Sequence, residues 1–159
     1  MQTVSEEQVW EALREIPDPE IPTINVVDLG IIRQVAVADA VIRVEMMPTF
    51  VGCPAIDMMR RDIRERLGPF GPVEVVVVYD EPWTTERITA AGRRMLLQAG
   101  LAPPPRGDIR LTPVSSQPVP CPYCGSTDTQ IENLFGPTPC RSIFYCRACR
   151  QPFEQFKAV

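Results

Sequence analysis

Apolar residues fall along the first hundred positions in stretches whose spacing changes from helical to extended and back. Val9, Leu13 and Ile16 recur at helical intervals behind Ser5, and Gln8 three residues on completes a capping box that Pro17 closes at the far end. Two β-branched stretches, 31–37 and 41–47, are separated only by Ala38, Asp39 and Ala40, which predicts a hairpin. A second helix follows, with Ile56, Met59, Ile63 and Leu67 as its buried stripe, Pro54 at its first position and the Gly68-Pro69-Phe70-Gly71-Pro72 run as its stop. The run 73–79 is almost wholly apolar, as in a strand central to its sheet or covered on both faces. A last helix, capped by Thr85 and carrying Ile88, Ala91, Met95 and Leu96, ends at Gly100.

Strand, helix and strand in that order make a right-handed crossover, so the third strand is expected parallel to the second. The predicted class is α+β (α/β): a small mixed sheet with helices in the order α-β-β-α-β-α, occupying residues 1–102. The region 103–120 is rich in proline and poor in apolar periodicity, which predicts an extended, semi-rigid linker. What remains, 121–159, is too short to bury a sufficient core without a staple.

That staple is visible as two knuckles, Cys121-Pro122-Tyr123-Cys124 and Cys146-Arg147-Ala148-Cys149. Each Cys-x2-Cys pair wraps backbone around one metal, and together they offer the four thiolates of a closed tetrahedral shell. A zinc ribbon is the leading reading, with iron in the same cage and disulfides as alternatives. Histidine is absent from all 159 residues, so mixed Cys/His fingers are excluded. Cys140 lies between the knuckles and belongs to neither Cys-x2-Cys pair, and is expected to be an extra thiolate dispensable for the metal.

Charge narrows the choice of partner. Residues 1–100 carry 10 basic and 16 acidic side chains, a net of −6, and residues 121–159 carry 4 basic and 3 acidic, a net of +1. Nucleic-acid binding draws on clustered lysine and arginine. An acidic body with a near-neutral ribbon argues against it and favours protein docking. No apolar run approaches the roughly 20 residues that cross a bilayer, and the first residues lack the basic start and apolar core of a signal peptide. A cytoplasmic protein with reduced thiols is therefore expected.

The body holds one cysteine, in Pro48-Thr49-Phe50-Val51-Gly52-Cys53-Pro54. If Pro54 begins the second helix, Cys53 stands at its N-cap, where unsatisfied amides and the dipole favour thiolate; a small apolar residue in a turn is the plain alternative. Asp18, Glu20 and Asp28 are read first as turn formers, Asp28 beside Gly30, although a carboxylate near Cys53 would add a hard ligand to a soft one.

Asp18-Pro19-Glu20, Asp28-Leu29-Gly30 and the stretch from Thr49 to Cys53-Pro54 together resemble the signature of the iron–sulfur assembly domain shared by PaaD and SufT-like proteins. Glu81-Pro82-Trp83-Thr84-Thr85, Ala91-Gly92-Arg93, Gly100-Leu101-Ala102-Pro103-Pro104, Phe135-Gly136-Pro137-Thr138-Pro139-Cys140 and Pro152-Phe153-Glu154-Gln155-Phe156-Lys157 resemble the phenylacetate-degradation protein D (PaaD) family more narrowly. The resemblance implies an accessory protein of the multicomponent phenylacetyl-CoA epoxidase, a di-iron monooxygenase with an iron–sulfur and flavin reductase. It implies no catalytic step for this chain, but assembly or delivery of iron or an iron–sulfur cluster to the oxygenase or reductase subunits. Cys53 then becomes a transient ligand with Thr49 and Asp28 around it. A structural component of the epoxidase without metal transfer is the alternative, and a thiol enzyme a third reading weakened by the missing histidine. An exposed sheet edge leaves a homodimer as an open expectation.

Overall fold

A computed structural model describes residues 4–106 and 118–157. The chain divides into two compact units, Met1–Trp83 with Arg87–Gly92, and Thr84–Glu86 with Arg93–Val159.

In the first unit, α1 (Glu6–Arg14) starts at Ser5 with both halves of the capping box formed, and buries Val9, Ala12 and Leu13. Strand β1 (Ile32–Ala38) pairs antiparallel with β2 (Val41–Met46). The turn between them is tight, because Asp39 and Ala40 both take positive φ, at 50° and 63°, whose twist suits adjoining antiparallel strands. Helix α2 (Ile56–Leu67) buries Met59, Ile63 and Leu67, and delivers the chain to β3 (Val73–Val77), which runs parallel to β2 as the crossover rule requires. The sheet order is β1-β2-β3. The unit's interior is built from these helix stripes, Ile42, Val44 and Met46 of β2, and Ile24, Val26, Leu29 and Ile31 of the segment before β1.

Three local expectations are corrected. The apolar run 73–79 forms an edge strand, not a central one: β3 lies on the side of β2 away from β1, and of its five residues only Val75 is buried. Thr85 does not cap the last helix. It sits buried in a short 3-10 turn, Thr85–Arg87, that Arg87 fastens by donating from Nε to the Gly30 carbonyl at 3.0 Å. Helix α3 (Ala90–Gln98) begins later, with the Thr89 hydroxyl accepting the Gly92 amide at 2.9 Å in the capping role. Nor does Pro54 open α2, whose N-cap is Ala55 with no side-chain cap.

In the second unit, β5 (Thr129–Asn133), β6 (Arg141–Cys146) and β7 (Pro152–Phe156) form an antiparallel meander, and the two-residue strand β4 (Leu101–Ala102) adds to β7 in parallel. The order is β4-β7-β6-β5. Its core comprises Ala102, Val119, Cys121, Phe144, Cys146 and Phe153, with the Phe144 and Phe153 rings stacked at 5.6 Å across the β6–β7 pair. Arg93 is buried and donates to the carbonyls of Pro104 at 2.6 Å and Thr85 at 3.1 Å, which ties down the start of the proline segment. Leu101 and Ala102, on the body side of the expected boundary at 102, pair with β7. Of the expected linker 103–120, residues 107–117 lie outside the described residues.

Candidate metal centre

Two turns carry the ribbon cysteines. In the first, the Gly125 amide donates to the Cys121 carbonyl at 2.8 Å and the Cys121 amide to the Ser126 carbonyl at 2.9 Å, a reversal that Gly125 permits at φ 75°. In the second, the Cys146 amide donates to the Gln151 carbonyl at 3.0 Å, and Arg150 takes the left-handed conformation at φ 61°. Anchored on adjacent segments of one small sheet, the knuckles face each other. Cys121 Sγ lies 3.7 Å from Cys149 Sγ and Cys124 Sγ 3.6 Å from Cys146 Sγ, and all four sulfurs fall within 4.8 Å of one another.

That spacing tests the donor set. A tetrahedron with metal–sulfur bonds of about 2.3 Å has edges of about 3.8 Å, so the paired sulfurs already stand where a tetrahedral thiophilic ion needs them. The described residues contain no disulfide. Four thiols this close cannot all ionise without a cation between them, and their proton affinities separate. The Cys146 thiol is held down to about 7, first by the Cys149 backbone amide donating to it, whereas burial pushes Cys149 up to about 12. Bound metal would replace the remaining protons. Cys140 stays outside this group: its sulfur meets the Thr138 hydroxyl at 3.1 Å and its carbonyl accepts the Lys157 amide at 2.8 Å.

Cys53 is placed differently. It lies half-buried on the loop between β2 and α2, its amide donating to the Phe50 carbonyl at 3.1 Å and its carbonyl accepting from Ile56 at 3.3 Å. With Ala55 as the N-cap, the sulfur belongs two residues ahead of the position expected from sequence, so the helix terminus is a weaker reason for thiolate there. Gly52 supplies the bend at φ 85° and has open space where a side chain would stand. Thr49 is half-buried at the start of the same loop.

Asp28 is buried, and both of its carboxylate oxygens accept hydrogen bonds, Oδ1 from the Thr89 hydroxyl at 2.6 Å and Oδ2 from Asn25 Nδ2 at 2.7 Å. Its carbonyl accepts the Thr89 amide at 3.0 Å. A Cβ at Gly92 would stand 2.4 Å from that carbonyl oxygen, so only glycine lets α3 approach so closely. Asp18 is likewise buried, its Oδ1 accepting the Glu20 and Ile21 amides at 2.9 and 2.8 Å. Sequence reasoning misses Thr89, Asn25 and Gly92 as partners of Asp28. The signal for them in the chain is a threonine directly before a helical run with glycine three residues on. Among the described residues, the ribbon cysteines are the one group of three or more Cys, Asp or Glu side chains set closely enough to share a metal, and no helix is long and apolar enough to cross a membrane.

A mixed α/β domain with a cysteine loop after its second strand, followed by a four-thiolate ribbon, is the architecture of an iron–sulfur assembly domain joined to a zinc ribbon. Residues 6–78 match the family model described as iron-sulfur cluster assembly protein, and residues 107–157 match the PaaD zinc beta ribbon domain. Across nearly its whole length the chain is similar to a protein of Escherichia coli strain K12 described as a putative 1,2-phenylacetyl-CoA epoxidase subunit, with 36% identity over 156 residues that cover 96% of this chain and 92% of that one. The chain belongs to the PaaD family. Its body alone is similar to an Fe-S protein maturation auxiliary factor of Porphyromonas gingivalis, at 35% identity over 89 residues, 54% of this chain and 84% of the relative. A solved domain of unknown function from Bacillus anthracis has the same fold, with a TM-score of 0.54 and 26% identity over 57% of this chain and 90% of its own.

Proposed function

We propose that this chain is an accessory protein that assembles or delivers iron or an iron–sulfur cluster for a phenylacetyl-CoA epoxidase, acting in the cytoplasm on the oxygenase or reductase subunits and catalysing no step of the epoxidation. The observation that carries this reading is the Cys53 loop: a half-buried thiol on an irregular segment, in a domain that matches an iron–sulfur assembly model. A single thiolate holds its cargo with vacant coordination positions, so the client's ligands can enter before Cys53 leaves. Thr49 is the neighbouring hydroxyl in this reading. Asp28 is assigned to holding the turn before β1 against α3, because both carboxylate oxygens are already engaged. Cys121, Cys124, Cys146 and Cys149 hold a structural zinc that keeps the ribbon folded as a docking unit, and Cys140 is dispensable for it.

Cys53→Ala tests the reading. Coexpressed with the epoxidase, it should leave fold and ribbon metal intact while lowering the iron content and activity of the epoxidase made beside it. A second reading is favoured by the likeness to an Escherichia coli protein that is itself described as part of the epoxidase: a structural component that stays with the complex. Mature epoxidase that loses activity when this chain is stripped away, and regains it equally with wild-type or Cys53→Ala protein, would establish that reading instead.

A further inference from the structure

The end of the body sheet that carries Cys53 also gathers apolar side chains that the fold leaves uncovered. Strands β2 and β3 run parallel and finish together at the Met46–Val77 pair, so the loop after β2 and the residues after β3 leave from the same end. Ligands of open sheets with parallel strands gather at this carboxyl end. On the loop, Phe50 is 48% exposed and Val51 78%; beyond β3, Tyr79 is 60% exposed. Met58, on the first turn of α2, is 47% exposed and lies outside the buried stripe of Met59, Ile63 and Leu67. These four are the most exposed large apolar side chains of the first unit among the described residues, and exposed apolar groups brought to one end of a sheet mark an interaction site.

The charges around them indicate what binds. With the ion pairs that reach Glu45 included, Glu45, Asp57, Glu74, Asp80 and Glu81 are five carboxylates against three guanidiniums, Arg33, Arg43 and Arg60, and Arg43 is engaged with Glu74 at 3.0 Å and Glu45 at 3.5 Å. The other two cations are engaged as well, Arg33 with Asp80 at 2.8 Å and more distantly with Glu45 and Glu81 at 3.9 Å, and Arg60 with Asp57 at 3.4 Å. The rim is left with net negative charge, on a region whose first hundred residues sum to −6. A twofold pairing of two copies through this face would set that rim against itself, and like charges across an interface disfavour such contact. A partner with the opposite rim gains on both counts.

We infer that this end of the sheet is the docking face for a client protein that presents an apolar surface edged by lysine or arginine, and that docking there brings the client's metal-accepting ligands to Cys53. The inference rests on the delivery role proposed above and adds where the client sits and what recognises it. Phe50, Val51 and Tyr79 are the apolar anchors, and Asp57, Asp80 and Glu81 select the basic edge.

The test is affinity measured by titration calorimetry between the full chain and separately purified oxygenase and reductase subunits of the epoxidase. Val51→Asp should weaken binding to one of them tenfold or more with an unchanged circular dichroism spectrum, since this side chain packs against little. Glu81→Lys should weaken it and flatten its salt dependence, whereas Phe70→Asp, an exposed apolar residue before β3 at the other end of the sheet, should bind as wild type does. Cys53→Ala should also bind normally. Equal affinity of Val51→Asp and wild type, no binding of wild type to either subunit, or a change from dimer to monomer on Val51→Asp would each overturn the inference. Binding lost in Val51→Asp, together with client iron undiminished by Cys53→Ala, would leave the docking face standing and remove the delivery role.

Discussion

Two sets of thiols in one chain meet opposite conditions. In the ribbon, four sulfurs converge to within 4.8 Å of one another across two backbone turns, and the buried pair, Cys121 and Cys146, belongs to the same core as Phe144 and Phe153. In the body, Cys53 stands on an irregular loop beside exposed Phe50 and Val51, while the core is complete without it. A closed shell woven into a small core retains its metal, because losing the ion means losing the fold. A half-buried thiol on such a loop would, in the proposed role, change ligands at little structural cost. Under the proposed function, retention and exchange would be separated by burial and by the number of donors, with the same type of side chain serving both.

The comparison is broken most severely at the ribbon. Cys146→Ser, or a strong chelator, should release the metal and disorder β5 to β7, because apparent binding energies of structural zinc are on the order of 10 kcal/mol; metal analysis and the loss of dispersed ribbon resonances in NMR would check this. Full metal retention by all four single serine variants would refute the four-thiolate shell.

The next effect lies in the body, at the turn that Asp28 holds. Gly30→Ala combines a φ of +78° with a Cβ placed 2.5 Å from the Arg87 carbonyl oxygen. It should cost about 1–3 kcal/mol or more, seen as a lowered thermal midpoint of the body with ribbon metal unchanged. Asp28→Ala leaves the Asn25 amide and Thr89 hydroxyl without their acceptor and should cost about 1–3 kcal/mol in the same assay. Cys53→Ala should change the midpoint far less, since the side chain is small and only half-buried; a loss as large as that of Asp28→Ala would make Cys53 a core residue and erase the contrast.

The smallest effect is electrostatic. Arg33 donates to the Asp80 carboxylate at 2.8 Å, and this hydrogen bond with the accompanying attraction holds Asp80 below its ordinary value of 3.8. A carboxyl with a depressed folded-state value adds stability that is present above the ordinary value and is lost as pH falls through the lower one. Acid titration of thermal stability should therefore show a slight extra loss below about pH 4 that Asp80→Asn removes and 1 M salt mutes.

Much of the fold is legible in the order of residues. The Ser5 box and the stripe Met59-Ile63-Leu67 are local patterns, and they read correctly because a few neighbouring residues decide them. Most of the misreadings turn on distant partners. Thr85 looks like a helix cap until Arg87 is seen to fasten that segment to Gly30, 57 positions away. The run 73–79 looks central because composition records apolarity but not which side of β2 the crossover will choose. Leu101 and Ala102 are too short to show any period, and their strand exists only because β7 lies beside them. The half-buried Cys53 falls between these cases: its loop is evident from sequence, its register against α2 is not.

The pairing of β4 with β7 also sets an order of events during synthesis. Leu101 and Ala102 leave the ribosome well before Pro152–Phe156, their only sheet neighbour among the described residues. At elongation rates of about 5–20 residues per second, the wait lasts on the order of seconds. Within that interval, from the synthesis of Cys124 until that of Cys146, the first knuckle has been made and the second has not, so two thiols are present without the pair that completes their cage. Metal capture is therefore a late step in the biogenesis of this protein, and a nascent chain stalled after Cys124 would display an unprotected dithiol to whatever oxidant or soft metal ion arrived first.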